Sequence, residues 1–217
     1  MGQPFPMAAH LTSIKSHEFV ALARADVDGM EVLVSEGVMS AVTALWHDAM
    51  ALSDGLDEQL QLNVGDVEQA IEASLVFLML HELHHGMIGH LELIGPTGIS
   101  ETKLPDGLGL TRRASSKPSK LAGYSKEQTL AIHRCIELQA DHDALEILLG
   151  HYAPDRGDLI RYYMATAMAV MILIDQQDQA LDDERTHPKS ATRIFQLFGS
   201  LATLWQPRAK SDWEAPD

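Results

Sequence analysis

Apolar residues along this chain follow a strand-like pattern first and a helical one from Gly37 onward. Residues 18–35 (EFVALARADVDGMEVLVS) hold two stretches rich in Val, Leu and Phe around an Asp-Val-Asp-Gly turn signal, which predicts a β-hairpin after a short lead. The second arm, 30–35, is the stronger strand. From Gly37 the spacing puts Val38, Val42, Leu45, Trp46 and Met50 on one face of a helix, before a polar break over 54–65. A second helix is expected over 66–93. Ser125 stands three residues before Gln128, a capping-box pattern that starts a third helix running to about 149. Helices near 158–178 and 190–205 complete the set, and no internal repeat is visible. A hairpin followed by five helices is an α+β architecture, mostly helical.

The 217 residues are 46% hydrophobic, enough to bury a core, and read as a single domain over 1–217. Within it, 95–124 is heavy in Gly, Pro, Ser, Thr and Lys and is locally basic. Its length suits either a mobile surface loop or a flap over a site. The acidic DDE at 182–184 reads as a solvated connection. The 31 acidic against 16 basic side chains give a formal charge of −15, which repels a phosphate backbone and argues against nucleic acid as a partner. One cysteine, Cys135, leaves no intramolecular disulfide framework and fits a reducing compartment. The N-terminus shows no secretory pattern, and Pro6 occupies the place where a myristoylation motif wants Ser or Thr, so the expected location is cytoplasmic. The most apolar long segment, 159–174, is interrupted by Arg161 and falls short of a bilayer span of about 20 residues. A buried core helix is expected there, and no transmembrane segment.

The informative segment is LVFLMLHELHHGMIGH, in which His81, Glu82 and His85 form HExxH. On a helix, positions i and i+4 share a face, so two imidazoles can take adjacent corners of one tetrahedral zinc ion. Glu82 is rotated to the side, where it can take the proton of a water activated by the ion without being a ligand. Such a motif arises by accident in about 3–4% of chains of this composition, so its context must carry the rest. The run before it, 75–80, is wholly apolar, which buries the helix and gives the histidines a dry, rigid setting. Surface histidines that merely share this spacing are the bland alternative.

A zinc hydrolase needs a third protein ligand and an open position. Glu137 and Asp141, one helical turn apart in CIELQADHDALEILL, offer a ligand and an acceptor for the free ring N–H of a liganding histidine. Alone, an acidic i, i+4 pair is most often solvent-facing. Beside HExxH it becomes the preferred candidate, with His142 and Asp143 on other sides of the same helix as alternates.

These segments resemble the gluzincin metallopeptidases, within them the CAAX prenyl endopeptidase and heat-shock membrane protease family. HELHHGMIGH is similar to that family's HExxH with a further histidine five residues on, here His90. ELQAD, 137–141, is similar to its E-x-x-A-D segment, with Leu138 and Ala140 at the buried spacing. THPKSATRI, 186–194, is similar to its late His-Pro segment with an arginine six residues after the histidine, here His187 and Arg193. The hairpin and VLVSEGVM, 32–39, resemble its strand leading into a helix that begins with a small residue. The shared order covers about residues 17–195, and the Lit-type phage-exclusion peptidases are a second relative.

The resemblance implies a zincin-like fold with a small antiparallel sheet or hairpin beside the active-site helix. It implies one Zn2+ on His81, His85 and Glu137, Glu82 as general base and Asp141 behind the ligands. It also implies His187 as the group that stabilises the tetrahedral oxyanion and Arg193 as a support. The chain departs from the family in lacking its membrane spans. His84 replaces a small residue, and His17 and Glu18 stand where Asn-Ala usually precedes the aromatic, here Phe19. His90, half a turn from the His81 face, reads as structural. The expected activity is a zinc metalloendopeptidase acting on a polypeptide in extended conformation, which pairs with the strand at 30–35. The alternative is a catalytically silent protein that keeps the scaffold as a binding or regulatory module.

Overall fold

The structure is a computed structural model, and it describes residues 8–26, 29–57, 61, 65–94, 120–150, 157–177 and 187–204. The described elements are β1 (Ala8–Ile14), β2 (Ala21–Asp26), β3 (Gly29–Ser35), α1 (Glu36–Ser53), α2 (Val67–Met87), α3 (His90–Ile94), α4 (Lys126–Leu149), α5 (Gly157–Gln177) and α6 (Ser190–Leu204). The architecture is α+β and mostly helical. Residues 95–119, most of the expected loop or flap, lie outside the described residues, as do 182–184.

The sheet has the order β1-β3-β2. β2 and β3 pair antiparallel, with Ala23 opposite Val32, as a hairpin requires. The expected lead is instead a strand: β1 runs parallel to β3, with Leu11 opposite Val32, so the sheet is mixed rather than antiparallel. Residues 8–11 are exposed and carry no apolar alternation, so β1 exists through its pairing with β3 and not through a pattern of its own. This placement also overturns one expectation. β3 is the central strand, its hydrogen-bonding groups are engaged on both sides, and an extended substrate cannot add to 30–35. Of the two outer strands, β2 is the one that packs against α2, beside the central β3.

Ser35 welds the sheet to the first helix. Its hydroxyl accepts from the N–H of Val38 as the α1 N-cap and from the N–H of Val20, and donates to the Glu18 carbonyl at 2.6 Å. Gly37 lies so close to the preceding chain that a Cβ there would stand 2.3 Å from the Glu18 carbonyl oxygen. The small residue at the helix start thus has a steric cause.

Helices α1, α2, α4, α5 and α6 share one core. Val38, Val42 and Trp46 of the expected α1 face are buried, with Leu45 and Met50 packed at its edge. Phe77 and Leu78 bring α2 into the same cluster, and the buried Trp46 indole donates to Ser74 Oγ at 2.8 Å. α5 is the one described helix long and apolar enough to cross a membrane, yet Ile160, Met164, Val170 and Met171 turn into this core. The helix expected over 66–93 is divided. α2 ends at Met87, Gly89 adopts φ 79° and α3 begins at His90, because glycine takes the left-handed conformation that stops a helix at little steric cost. Ser125 and Gln128 form the capping box that starts α4, as the sequence predicts.

Candidate metal centre

α2 and α4 cross with their buried faces together, and the crossing brings the motif residues into one cluster. His81 Nε2 lies 3.2 Å from His85 Nε2 and 3.2 Å from Glu137 Oε2, and His85 Nε2 lies 3.6 Å from Glu137 Oε1. All three residues are buried, and the Glu137 oxygens make no well-formed hydrogen bond, only close approaches to the nitrogens of His81, His85 and His187. A buried carboxylate left this way is costly unless something charged completes it. Zinc bonds of about 2.0–2.1 Å in a tetrahedron put neighbouring ligand atoms about 3.3–3.4 Å apart, close to the separations seen here. Two imidazole nitrogens and one carboxylate also match the donor set of a catalytic zinc site. His81, His85 and Glu137 could therefore hold a metal ion.

The surrounding groups fix this geometry. Asp141 Oδ1 sits 3.0 Å from His81 Nδ1. Arg193 of α6, itself only 1% exposed, grips the same carboxylate through Nε at 2.7 Å and Nη2 at 2.5 Å. Burial disfavours the charged forms of both, but each holds the other: Asp141 is shifted down by Arg193 and His81, and Arg193 up by Asp141. On His85, Nδ1 faces His90 Nδ1 at 3.0 Å. His187 Nε2 lies 3.3 Å from Glu137 Oε2, so the late histidine does reach the cluster.

The electrostatics among the cluster's own side chains are uneven. Burial alone would lower the pKa of His81, but the carboxylates of Asp141 and Glu137 beside its two ring nitrogens raise it to about 10. Burial lowers His85 to about 3, so it is the neutral imidazole of the pair. Burial also opposes ionisation of Glu137, yet His187, His85 and His81 together hold it well below the usual carboxylate range. Glu82 is pushed up to about 7, chiefly by burial and also by Glu137, against the pull of His81, a backbone hydrogen bond from Ala23 and Arg193. A carboxyl poised near neutrality is suited to exchanging protons at physiological pH.

His81, Glu82, His85, Glu137, Asp141, His187 and Arg193 come together. His142 and Asp143 do not join them; they group with Glu146 on a more exposed side of α4. His84 turns back on its own helix, its Nδ1 2.8 Å from the Leu80 carbonyl. His90 is not half a turn away, because the break at Gly89 folds it under His85. His133, absent from the sequence argument, is within electrostatic range of Glu137 and His187 and has a buried Nδ1 without a hydrogen-bond partner. Its spacing of four residues before Glu137, the same helix face, is the signal that could have found it.

Comparison of the chain with protein-family models, with curated proteins and with solved structures gives no match.

Proposed function

We propose that this protein is a zinc-dependent endopeptidase of zincin-like fold, hydrolysing internal bonds of polypeptides. The observation that carries the reading is the convergence, from two helices, of the His81, His85 and Glu137 donor atoms with the Glu82 carboxyl buried beside them. The resemblance of the ordered motifs to the gluzincins supports the same conclusion. His81, His85 and Glu137 would hold the ion. Bound there, zinc supplies a water acidic enough to ionise near neutral pH and polarises a carbonyl as a Lewis acid.

The chain's own groups do the rest. Glu82 takes the proton of the attacking water and later passes it to the leaving amine. Asp141, locked by Arg193, holds the His81 ring so that Nε2 faces Glu137. His187, beside Glu137 and partly exposed, donates to the oxyanion of the substrate in this reading. An extended substrate runs along the outer strand β2, whose Ala23 backbone already hydrogen-bonds Glu82.

The test is Glu82→Gln beside the parent, with metal content and cleavage of an unfolded protein measured in parallel. Equal zinc content is expected, with cleavage reduced about 10²–10⁴-fold in the variant. Zinc bound in both proteins with no cleavage in either, across many unfolded substrates, supports the silent binding or regulatory protein instead.

A further inference from the structure

His85 presents a choice that the motif alone does not settle. A neutral imidazole carries one hydrogen, and only the tautomer with that hydrogen on Nδ1 leaves Nε2 free to bind a metal. The group facing His85 Nδ1 therefore has to be an acceptor. It is another imidazole: His90 Nδ1, at 3.0 Å, on a residue only 5% exposed. The two rings are tilted by 52° with centroids 5.2 Å apart, which excludes face-to-face stacking and leaves the in-plane nitrogens as the contact.

The backbone is shaped to make this contact. A continuous helix would carry His90, five residues beyond His85, around to a different face. Gly89, with φ 79°, ends that path and returns the chain, so that α3 opens with His90 beneath the second motif histidine. The His90 ring also hydrogen-bonds the Gln139 side chain, from the α4 turn that carries Glu137 and Asp141. With Nδ1 accepting from His85, the hydrogen of His90 belongs on Nε2, and the Gln139 amide oxygen is the natural acceptor for it.

We propose that His90 is the positioning residue for His85: its Nδ1 accepts the His85 Nδ1–H, fixes the ring and its tautomer, and so directs His85 Nε2 at the metal. This inference rests on reading the cluster as a metal centre. The two histidine ligands are then held by chemically different partners, His81 by the Asp141 carboxylate and His85 by a neutral ring. Partners of this kind typically govern metal affinity by about 10–100-fold.

The test compares His90→Phe, which fills the ring volume but accepts nothing, with His90→Asn, whose amide oxygen can occupy nearly the place of Nδ1. Zinc affinity is measured by competition with a chelator, and circular dichroism checks the fold. The expected result is a loss of about 10–100-fold for His90→Phe and near-parental affinity for His90→Asn. A folded His90→Phe protein that binds zinc as tightly as the parent overturns the proposal. Nitrogen-15 spectra of the histidines in the unsubstituted protein test the same point without any variant. They should show His85 carrying its hydrogen on Nδ1 and His90 on Nε2; a His90 ring with its hydrogen on Nδ1 overturns the assignment. A parent protein that binds no zinc removes the metal-centre reading itself, and the spectra still decide which ring donates.

Discussion

His81 is pulled in opposite directions by burial and by two carboxylates, and the carboxylates win. Its pKa in the metal-free protein, about 10, lies above the ordinary 6.5, so the stability it contributes is fully present below about pH 6.5 and is lost as pH rises through 10. A metal needs the neutral ring, so apparent metal affinity rises over the same interval. Melting temperatures from about pH 6.5 to about pH 9 should therefore show two opposite trends. The metal-free protein loses stability, while the increment added by zinc grows. In His81→Asn both slopes flatten; slopes as steep as the parent's would place the titrating group elsewhere. At this scale much of the site was legible in the sequence, because HExxH and Glu137-x-x-x-Asp141 each place two groups on one face of one helix. His90 and His133 were not. The first needs a helix break whose direction the residues do not announce, and the second is a lone histidine whose neighbours come from other elements.

The elements follow the same division between local and non-local causes. The capping box at Ser125, the apolar face of α1 and the β2–β3 hairpin are written in adjacent residues, and each forms where its pattern says. β1 is not written that way, since its exposed residues are ordered by a parallel partner that follows the hairpin turn. Gly37 shows how such non-local contacts reverse a local rule. In a free helix, glycine to alanine stabilises by about 1 kcal/mol. Here the new Cβ meets the Glu18 carbonyl oxygen, a backbone atom that cannot swing aside. Gly37→Ala is expected to destabilise by about 1–3 kcal/mol in urea unfolding, and a stabilised variant would show that the junction is looser than described. Ser35→Ala removes the cap of the same helix and the link to Val20 and Glu18, with an expected cost of about 1–2 kcal/mol.

For the whole molecule, Arg193 ties the last described helix to the centre. The guanidinium is fully enclosed and bound to Asp141 by two hydrogen bonds, so α6, α4 and the His81 ring form one mechanical unit. Removing one partner leaves a buried charge uncompensated. Arg193→Leu should cost about 3–5 kcal/mol, and the Asp141→Leu/Arg193→Leu double variant clearly less than the sum of the singles, as a double-mutant cycle by chemical denaturation would read. An additive cycle would mean that the pair does not act as a pair. The central claim is that α2 and α4 together grip a single ion, and the most direct measurement is anomalous diffraction at the zinc edge from crystals grown with zinc. One peak is expected, about 2.0–2.2 Å from His81 Nε2, His85 Nε2 and a Glu137 oxygen. A zinc peak elsewhere with none at these atoms, or a Glu137 side chain turned away from the ion, would contradict it.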